Sequence, residues 1–213
     1  MVSTLVRPSW RGRLHKWAFF VSLPAGLLLV LRADTDVERA SAAVYVVGLL
    51  ALFGTSAAYH HLDLGHHRRN LLQKLDHSMI FVLIAATYTP VCLLGLPRSW
   101  GIPLLVIAWS VAALGIVLRF TRLDRLRVLA FALYPLLGWT LMAAVPQLAR
   151  QLTDAQLALI IVGGVIYTVG IPVLVVGRPN PWPAKFGYHE IWHAFTVVAA
   201  ACHFAAVGML VSS

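Results

Sequence analysis

The residues best suited to chemistry in this chain are histidines in the pattern of a metal site. His189 and His193 are four positions apart, which on a helix means about 6 Å of rise and about 40° of rotation, so both imidazoles can face one ion. His60 offers a third nitrogen from a distant part of the chain. Three neutral histidines with an open position for water are typical of catalytic zinc, which lowers the pKa of that water to about 7. The ligand type predicts zinc, and it also suits iron or cobalt.

Two further polar residues are suited to act on that water. Asp76 can accept a hydrogen bond from it or act as a general base. Ser56 precedes His60 by about one helical turn and shares its face, so the hydroxyl can orient the water or donate a hydrogen bond to a reacting oxygen. The predicted catalytic residues are therefore Asp76 and Ser56, and the predicted metal ligands are His60, His189 and His193.

The composition of the chain indicates that lipid is the solvent around these residues. Of the 213 residues, 60% are apolar and 12% are charged, against roughly 45–50% and about 25% in soluble domains. A bilayer core needs about 20 apolar residues per helix, and the chain has seven such stretches, near 17–33, 40–60, 75–96, 101–119, 126–146, 155–177 and 188–211. We expect a single all-α domain over residues 1–213, an integral membrane bundle of seven transmembrane helices.

The distribution of positive charge predicts how this bundle is oriented. Lys and Arg gather in the cytoplasmic segments of membrane proteins, and with the N-terminus inside, 13 of the 17 lie in such segments. The prediction is a multi-pass protein of the inner (plasma) membrane, with a cytoplasmic N-terminus and its C-terminus outside. Topology and attraction to anionic lipid then explain the net charge of +9. Membrane lipid is the expected partner, nucleic acid is not, and the sequence points to no particular protein partner.

The predicted topology brings the polar residues to one depth. The end of span two and the starts of spans three and seven share the cytoplasmic side. His60, Asp76, His189 and His193 therefore lie at a similar level, although more than 100 residues separate His60 from His189. Ionisable groups inside a membrane are costly and are functional candidates by default. Their common depth favours a metal site over unrelated interfacial histidines.

A second interpretation of the last histidine pair is a metalloprotease. The segment from His189 to His193 reads HExxH, in which the glutamate is the general base. On a helix, however, Glu190 is rotated by about 100° from His189 toward a neighbouring face. It can instead serve at the helix N-terminus, where a carboxylate is favoured. Both roles of Glu190 stay open from the sequence.

Other histidines have weaker claims on a metal. His77 points away from Asp76 on a helix. At most, it can hydrogen-bond to a side chain of the site without binding the metal itself. His203 lies about 21 Å further along the axis than His189, too far to bind the same ion. Three more fall in a basic cytoplasmic loop and are expected at the surface: His61, His66 and His67.

Separated segments of the chain resemble the signature segments of a known family. They are Ser56-Ala-Ala-Tyr-His60, Lys74-Leu-Asp-His-Ser78 running into Ile84-Ala-Ala-Thr-Tyr-Thr-Pro90, and His189-Glu-Ile-Trp-His193 with His203-Phe204 beyond. With the seven spans, they are similar to the hemolysin III family, the bacterial branch of the progestin and adiponectin receptor group. The resemblance implies a cytoplasmic N-terminus and zinc near the cytoplasmic face. It also implies the same ligands, His60, His189 and His193, with Asp76 holding the water and Ser56 beside it.

The resemblance implies an activity on lipids. Adiponectin receptors and the similar alkaline ceramidases are associated with hydrolysis of lipid amides, and bacterial members with haemolysis and membrane lipid homeostasis. We therefore expect a zinc-dependent hydrolase of lipid acyl amides or esters, ceramidase-like, or another role in membrane lipid homeostasis. The chain departs from adiponectin receptors at Glu190, where they carry an amide residue.

Two non-enzymatic functions stay open from the sequence. In one, a structural zinc joins spans two, three and seven in a regulator or sensor of membrane state. In the other, suggested by the family name, the protein is a haemolysin or cytolysin acting on host membranes. The predicted polar cluster lies at one end of the bundle and does not line a conduit, so we expect haemolysis to follow indirectly from altered lipids.

Overall fold

The chain is all-helical in the computed structural model, which describes residues 8–121 and 124–211. Within these residues the helices follow one another in the order α1 Arg13–Leu31, α2 Asp36–His61, α3 His66–Leu94, α4 Arg98–Phe120, α5 Asp124–Trp139, a 3-10 helix Thr140–Ala144, α6 Val145–Gln151, α7 Asp154–Val176 and α8 Tyr188–Val211. In the part of the chain that the structure describes, seven stretches are long and apolar enough to cross a membrane, and the fifth of them, Val128–Gln151, combines most of α5 with the 3-10 helix and α6. The predicted seven-span all-α fold is confirmed.

The outer surface of the bundle is apolar, as lipid requires. Large hydrophobic side chains are exposed along the spans. For example, the accessible surface is 68% of its maximum for Leu31, 71% for Val128 and 67% for Val176. A soluble protein rarely exposes apolar surface on this scale. The protein is therefore a multi-pass membrane protein, while the assignment of its two sides to cytoplasm and exterior stays a prediction from charge.

Capping explains where two of the spans begin. Thr35 accepts a hydrogen bond from the backbone of Glu38, and the Glu38 carboxylate accepts one from the backbone of Thr35, so a capping box starts α2. Thr153 and Gln156 form the same box before α7. Each box satisfies backbone N–H groups that the first helical turn leaves without partners.

The first span begins one turn earlier than the sequence indicated. The predicted limits were 17–33, whereas α1 runs Arg13–Leu31. The helix starts after Gly12, whose φ of 77° suits glycine, and a side chain at that position would collide with His60. Arg13 and Lys16 are helical because long basic side chains can reach the interface from within a helix. This extra turn carries His15 into the bundle.

The fifth span is interrupted and ends at 151 instead of the predicted 146. The regular helix stops at Trp139, and the chain continues as the 3-10 helix before α6, whose first turn contains Pro146. The Tyr88 hydroxyl of α3 donates to the carbonyl oxygen of Leu137 and accepts from the backbone of Leu141. A side chain from a neighbouring helix thus satisfies the backbone groups at the break, as a membrane interior demands.

The packing order places α8 beside the helices that carry the predicted site. α2 packs between α1 and α3, and α8 contacts α7, α1, α3 and α2. The backbone of Ser9 donates to the carbonyl oxygen of Ala184, and that of Trp10 donates to Lys185. The segment before α1 therefore lies against the loop before α8. The starts of α1 and α8 and the end of α2 consequently meet at one end of the bundle.

Candidate metal centre

Helices α2 and α8 bring three imidazoles together. His60 lies at the end of α2, and His189 and His193 lie one turn apart at the start of α8. One nitrogen from each ring lies within 4.8 Å of the other two. The Nε2 atoms of His60 and His189 are 3.1 Å apart, and the ring centroids of His189 and His193 are 4.5 Å apart. The three predicted ligands therefore converge.

The geometry of this cluster fits a metal ion. Zinc binds histidine nitrogens at about 2.0–2.1 Å with tetrahedral angles, which places neighbouring nitrogens about 3.3 Å apart. The 3.1 Å between His60 and His189 matches that spacing. His60 and His193 are 6% and 3% exposed, and the Nδ1 atom of His193 is buried with no hydrogen-bond partner among the described residues. Buried polar atoms normally have partners, so this group of imidazoles can hold a metal ion.

Ser56 and Asp76 lie together beside this cluster. Ser56 is buried one turn before His60 on α2, and the carboxyl of Asp76 on α3 lies close to its hydroxyl. Asp76 is half-buried. The structure thus places both predicted catalytic side chains at the same end of the bundle as the three histidines. Their catalytic roles stay predictions.

His15 of α1 is a member of the site that the sequence reasoning missed. It is 3% exposed, and its Nδ1 and Nε2 atoms lie 2.8 Å from the hydroxyls of Ser56 and Thr196 respectively. Its ring stacks on that of His193 at 3.7 Å with an angle of 13°. The predicted span began at residue 17, which left His15 in the polar N-terminal segment. Extending that helix back by one turn would have found it.

The contacts of Glu190 explain its buried position without a catalytic role. Its Oε2 atom accepts a hydrogen bond from the backbone of Gly187 at 2.8 Å, in the manner of a helix N-terminus. Its Oε1 atom is in ionic contact with Arg11 Nε at 2.6 Å, outside hydrogen-bond geometry. Glu190 is 1% exposed. These contacts favour the structural role of Glu190 over that of a protease general base.

The remaining histidines lie outside the centre. His77 accepts a hydrogen bond from Arg119 Nη2 at 2.6 Å, so its Nδ1 atom has a partner on α4. His203 lies against the backbone of Gly163, with Nε2 at 3.2 Å from the carbonyl oxygen of Ile160. The three histidines predicted at the surface are exposed, namely His61, His66 and His67.

Comparison with known proteins identifies the family. The model of Haemolysin-III related proteins matches residues 3–204. The chain belongs to the haemolysin-III related family. It is 32% identical over 194 residues to the Hemolysin-3 homolog of Bacillus subtilis (strain 168), covering 89% of this chain and 87% of that protein. Family membership confirms the resemblance drawn from the separated sequence segments.

Other haemolysin-III related proteins match over a similar length. The chain is 31% identical over 195 residues to Hemolysin-3 of Bacillus cereus, covering 89% of this chain and 85% of that protein. It is also 28% identical over 200 residues to the Monocyte to macrophage differentiation factor of Homo sapiens, covering 91% of this chain and 79% of that protein. The similarity thus extends over nearly the whole seven-span bundle, and the family match spans the positions of all three histidines.

Proposed function

We propose that this protein binds zinc at its three clustered histidines and hydrolyses an acyl amide or ester of a membrane lipid. The observation that carries the proposal is the convergence of His60, His189 and His193 at one end of a lipid-facing bundle. A structural site needs ligands alone, whereas here the Ser56 hydroxyl lies one helical turn before the ligand His60, and the Asp76 carboxyl lies close to that hydroxyl. That combination is typical of a site that acts on water.

The side chains around the cluster have separate tasks in this reaction. The zinc ion, when bound, supplies Lewis acidity at the carbonyl and a water of low pKa. The Asp76 carboxylate accepts a proton from the water as its oxygen adds to the acyl carbon. The same carboxyl returns the proton to the leaving amine or alcohol as the C–N or C–O bond breaks. Ser56 orients the water or the reacting oxygen through its hydroxyl.

A groove between α1 and α2 supports a lipid substrate. It has a volume of about 260 Å³ and is lined by Lys16, Phe19, Phe20, Gly54, Ala57 and His61. Lys16 and His61 directly follow His15 and His60 in the chain, so the basic end of the groove lies at the level of the centre. Its deeper walls are apolar, which suits an acyl chain whose polar end lies near the two basic groups.

The proposed location follows from charge. The basic residues of the described segments at this end of the bundle include Arg13, Lys16, Arg68, Arg69, Lys74 and Arg119. Such an excess favours the cytoplasmic side. We therefore place the centre at the cytoplasmic face of the inner (plasma) membrane, where anionic lipids attract these residues.

The proposal is tested in two steps on protein purified in detergent. Elemental analysis of the native protein should find near-stoichiometric zinc that both His60→Ala and His193→Ala abolish. The native protein should then release fatty acid from a ceramide with a fluorescent acyl chain or from a phospholipid. A native protein that stays free of metal after zinc is supplied would contradict the metal site. Zinc without any released fatty acid would contradict hydrolysis and favour a structural zinc in a membrane regulator.

A further inference from the structure

His15 makes three contacts that reach both halves of the proposed centre. Its Nδ1 atom lies 2.8 Å from Ser56 Oγ, its Nε2 atom lies 2.8 Å from Thr196 Oγ1, and its ring stacks on His193. With both nitrogens held by hydroxyls, His15 is not arranged as a further metal ligand. Its contacts are those of a residue that orients other side chains.

The hydroxyl of Thr196 decides which nitrogen of His15 carries the proton. Thr196 donates its single hydroxyl proton to the carbonyl oxygen of His193 at 2.8 Å, so its oxygen can only accept from His15. The Nε2 atom of a neutral His15 therefore carries the hydrogen, and its Nδ1 atom is an acceptor. Ser56 must then donate its own proton to His15.

This direction of hydrogen bonding sets the orientation of the Ser56 hydroxyl. Its proton points to His15, so that proton is not available to the Asp76 carboxylate, and the lone pairs of the Ser56 oxygen point away from His15. An oxygen in this state accepts a hydrogen bond and cannot also donate one to a reacting oxygen. Of the two roles that the sequence left open for Ser56, the arrangement selects orientation of the water.

The ring of His15 also restrains a proposed ligand. It lies 3.7 Å from the His193 ring, and the two planes differ by 13°. Phe53 contacts His15 with a centroid distance of 5.2 Å, which leaves the His15 ring little room to move. The plane of the His193 imidazole is thus set by packing as well as by its own helix.

The geometry points to His15 as a positioning residue of the centre, which directs the Ser56 hydroxyl through Nδ1 and holds the His193 imidazole through its ring face. This inference rests on the proposed function, because it assigns His15 to the water through Ser56 and to the metal through His193. It also makes α1 part of the centre, beyond the helices that carry the ligands.

Two substitutions of His15 separate its two contributions. His15→Phe keeps an aromatic ring on His193 but removes both hydrogen bonds, whereas His15→Ala removes the ring as well. We expect zinc affinity, measured by competition with a chromophoric chelator, to stay within about threefold in His15→Phe and to fall about 10- to 100-fold in His15→Ala. His203→Phe, which removes a buried histidine outside the centre, is the matched control and should bind zinc as the native protein does.

A double-mutant cycle tests the action through Ser56. If His15 acts through the Ser56 hydroxyl, His15→Phe should lower kcat about 10- to 100-fold in the native background and hardly at all in Ser56→Ala. KM for the fluorescent ceramide should change little, because His15 does not face the lipid. Additive losses in the double variant would overturn the inference.

A spectroscopic measurement judges the inference without any turnover. In protein carrying ¹⁵N-labelled histidine, the His15 signals are identified by their loss in His15→Phe. The ¹⁵N chemical shifts of His15 should indicate a hydrogen on Nε2 and an unprotonated Nδ1. The Nδ1 chemical shift should change in Ser56→Ala, because that variant removes the hydrogen-bond donor. A hydrogen on Nδ1, or equal zinc affinities in His15→Phe and His15→Ala, would overturn the inference. Absence of lipid hydrolysis with these signatures present would overturn the proposed reaction and leave the role of His15 supported.

Discussion

Arg11 and Glu190 form an ion pair that joins the start of α1 to the start of α8, with Nε and Oε1 2.6 Å apart. The carboxylate is 1% exposed and the arginine side chain 21%, so the carboxylate depends on this cation and on the backbone of Gly187. Removing one member of such a buried pair leaves the other charge without compensation. Loss of either charge alone is therefore expected to destabilise the end of the bundle that carries the histidines.

Glu190→Gln should destabilise the protein and leave the chemistry in place. We expect the free energy of unfolding to fall by about 2 kcal/mol, because the ionic contact is lost while an amide oxygen can still accept from Gly187. Zinc content should stay near that of the native protein. The checks are the denaturant midpoint in detergent and elemental analysis.

The control for this prediction is the double variant Arg11→Gln, Glu190→Gln. It should be more stable than Glu190→Gln alone, because no unpaired charge is left at the start of α8. A Glu190→Gln variant of native stability that retains zinc but loses turnover would instead support the metalloprotease interpretation.

Asp76→Asn and Ser56→Ala should separate zinc binding from turnover. Neither side chain belongs to the cluster of three histidines, so both variants should keep the native zinc content. Asp76→Asn removes the proposed base, and a loss of about 100-fold or more in kcat is expected. Release of labelled fatty acid measures the rate, and loss of zinc in both variants would contradict the proposed division of roles.

Removal of zinc should lower stability, because the ligands come from two helices. An ion present at about 1,000 times its dissociation constant adds about 4 kcal/mol to the stability of the folded state. A chelator should therefore lower the Tm of the native protein. His189→Ala lacks one ligand and is the matched control, in which the chelator should have little effect. Identical Tm values for the native protein with and without the chelator would contradict a bound metal.

Filling the groove between α1 and α2 should weaken substrate binding and spare the metal. A side chain at Gly54 would extend into the groove and press on Phe19, which lies 3.0 Å from the position of a Cβ atom. Gly54→Leu should therefore raise KM for the fluorescent ceramide about tenfold at native zinc content. Gly164→Leu is the matched control, because no atom of the described segments lies within 4 Å of its Cβ position, and it should keep the native KM. Equal KM values in both variants would exclude this groove as the path of the acyl chain.

Labelling from one side of the membrane should reveal the orientation of the centre. In a background with Cys92→Ala and Cys202→Ala, single cysteines are placed by Asp34→Cys and Ala184→Cys, both at exposed positions. A membrane-impermeant maleimide should label Asp34→Cys in intact spheroplasts and Ala184→Cys only after permeabilisation. The reverse pattern would place the histidine cluster outside the cytoplasm.

Local properties of the sequence were sufficient for the fold class and for the three histidines. A span is recognised from the length and hydropathy of one contiguous stretch, and seven of these were recognisable without any contact between them. The spacing of His189 and His193 is likewise a property of one helix. Because successive spans cross the membrane in opposite directions, the number of spans between them predicted that His60 lies at the same end of the bundle as His189 and His193, where the structure places it.

The tertiary structure alone decided which other side chains contact these residues. His15 meets Ser56 and Thr196, which lie 41 and 181 positions away in the chain, and Arg11 meets Glu190. These contacts depend on the rotation of α1 about its axis and on its register against α2 and α8, and hydropathy encodes neither. By composition and hydropathy, the basic residues at the start of α1 are indistinguishable from an interfacial loop. Only the packing of α1 against α2 and α8 shows that these residues are helical and that His15 reaches the histidine cluster.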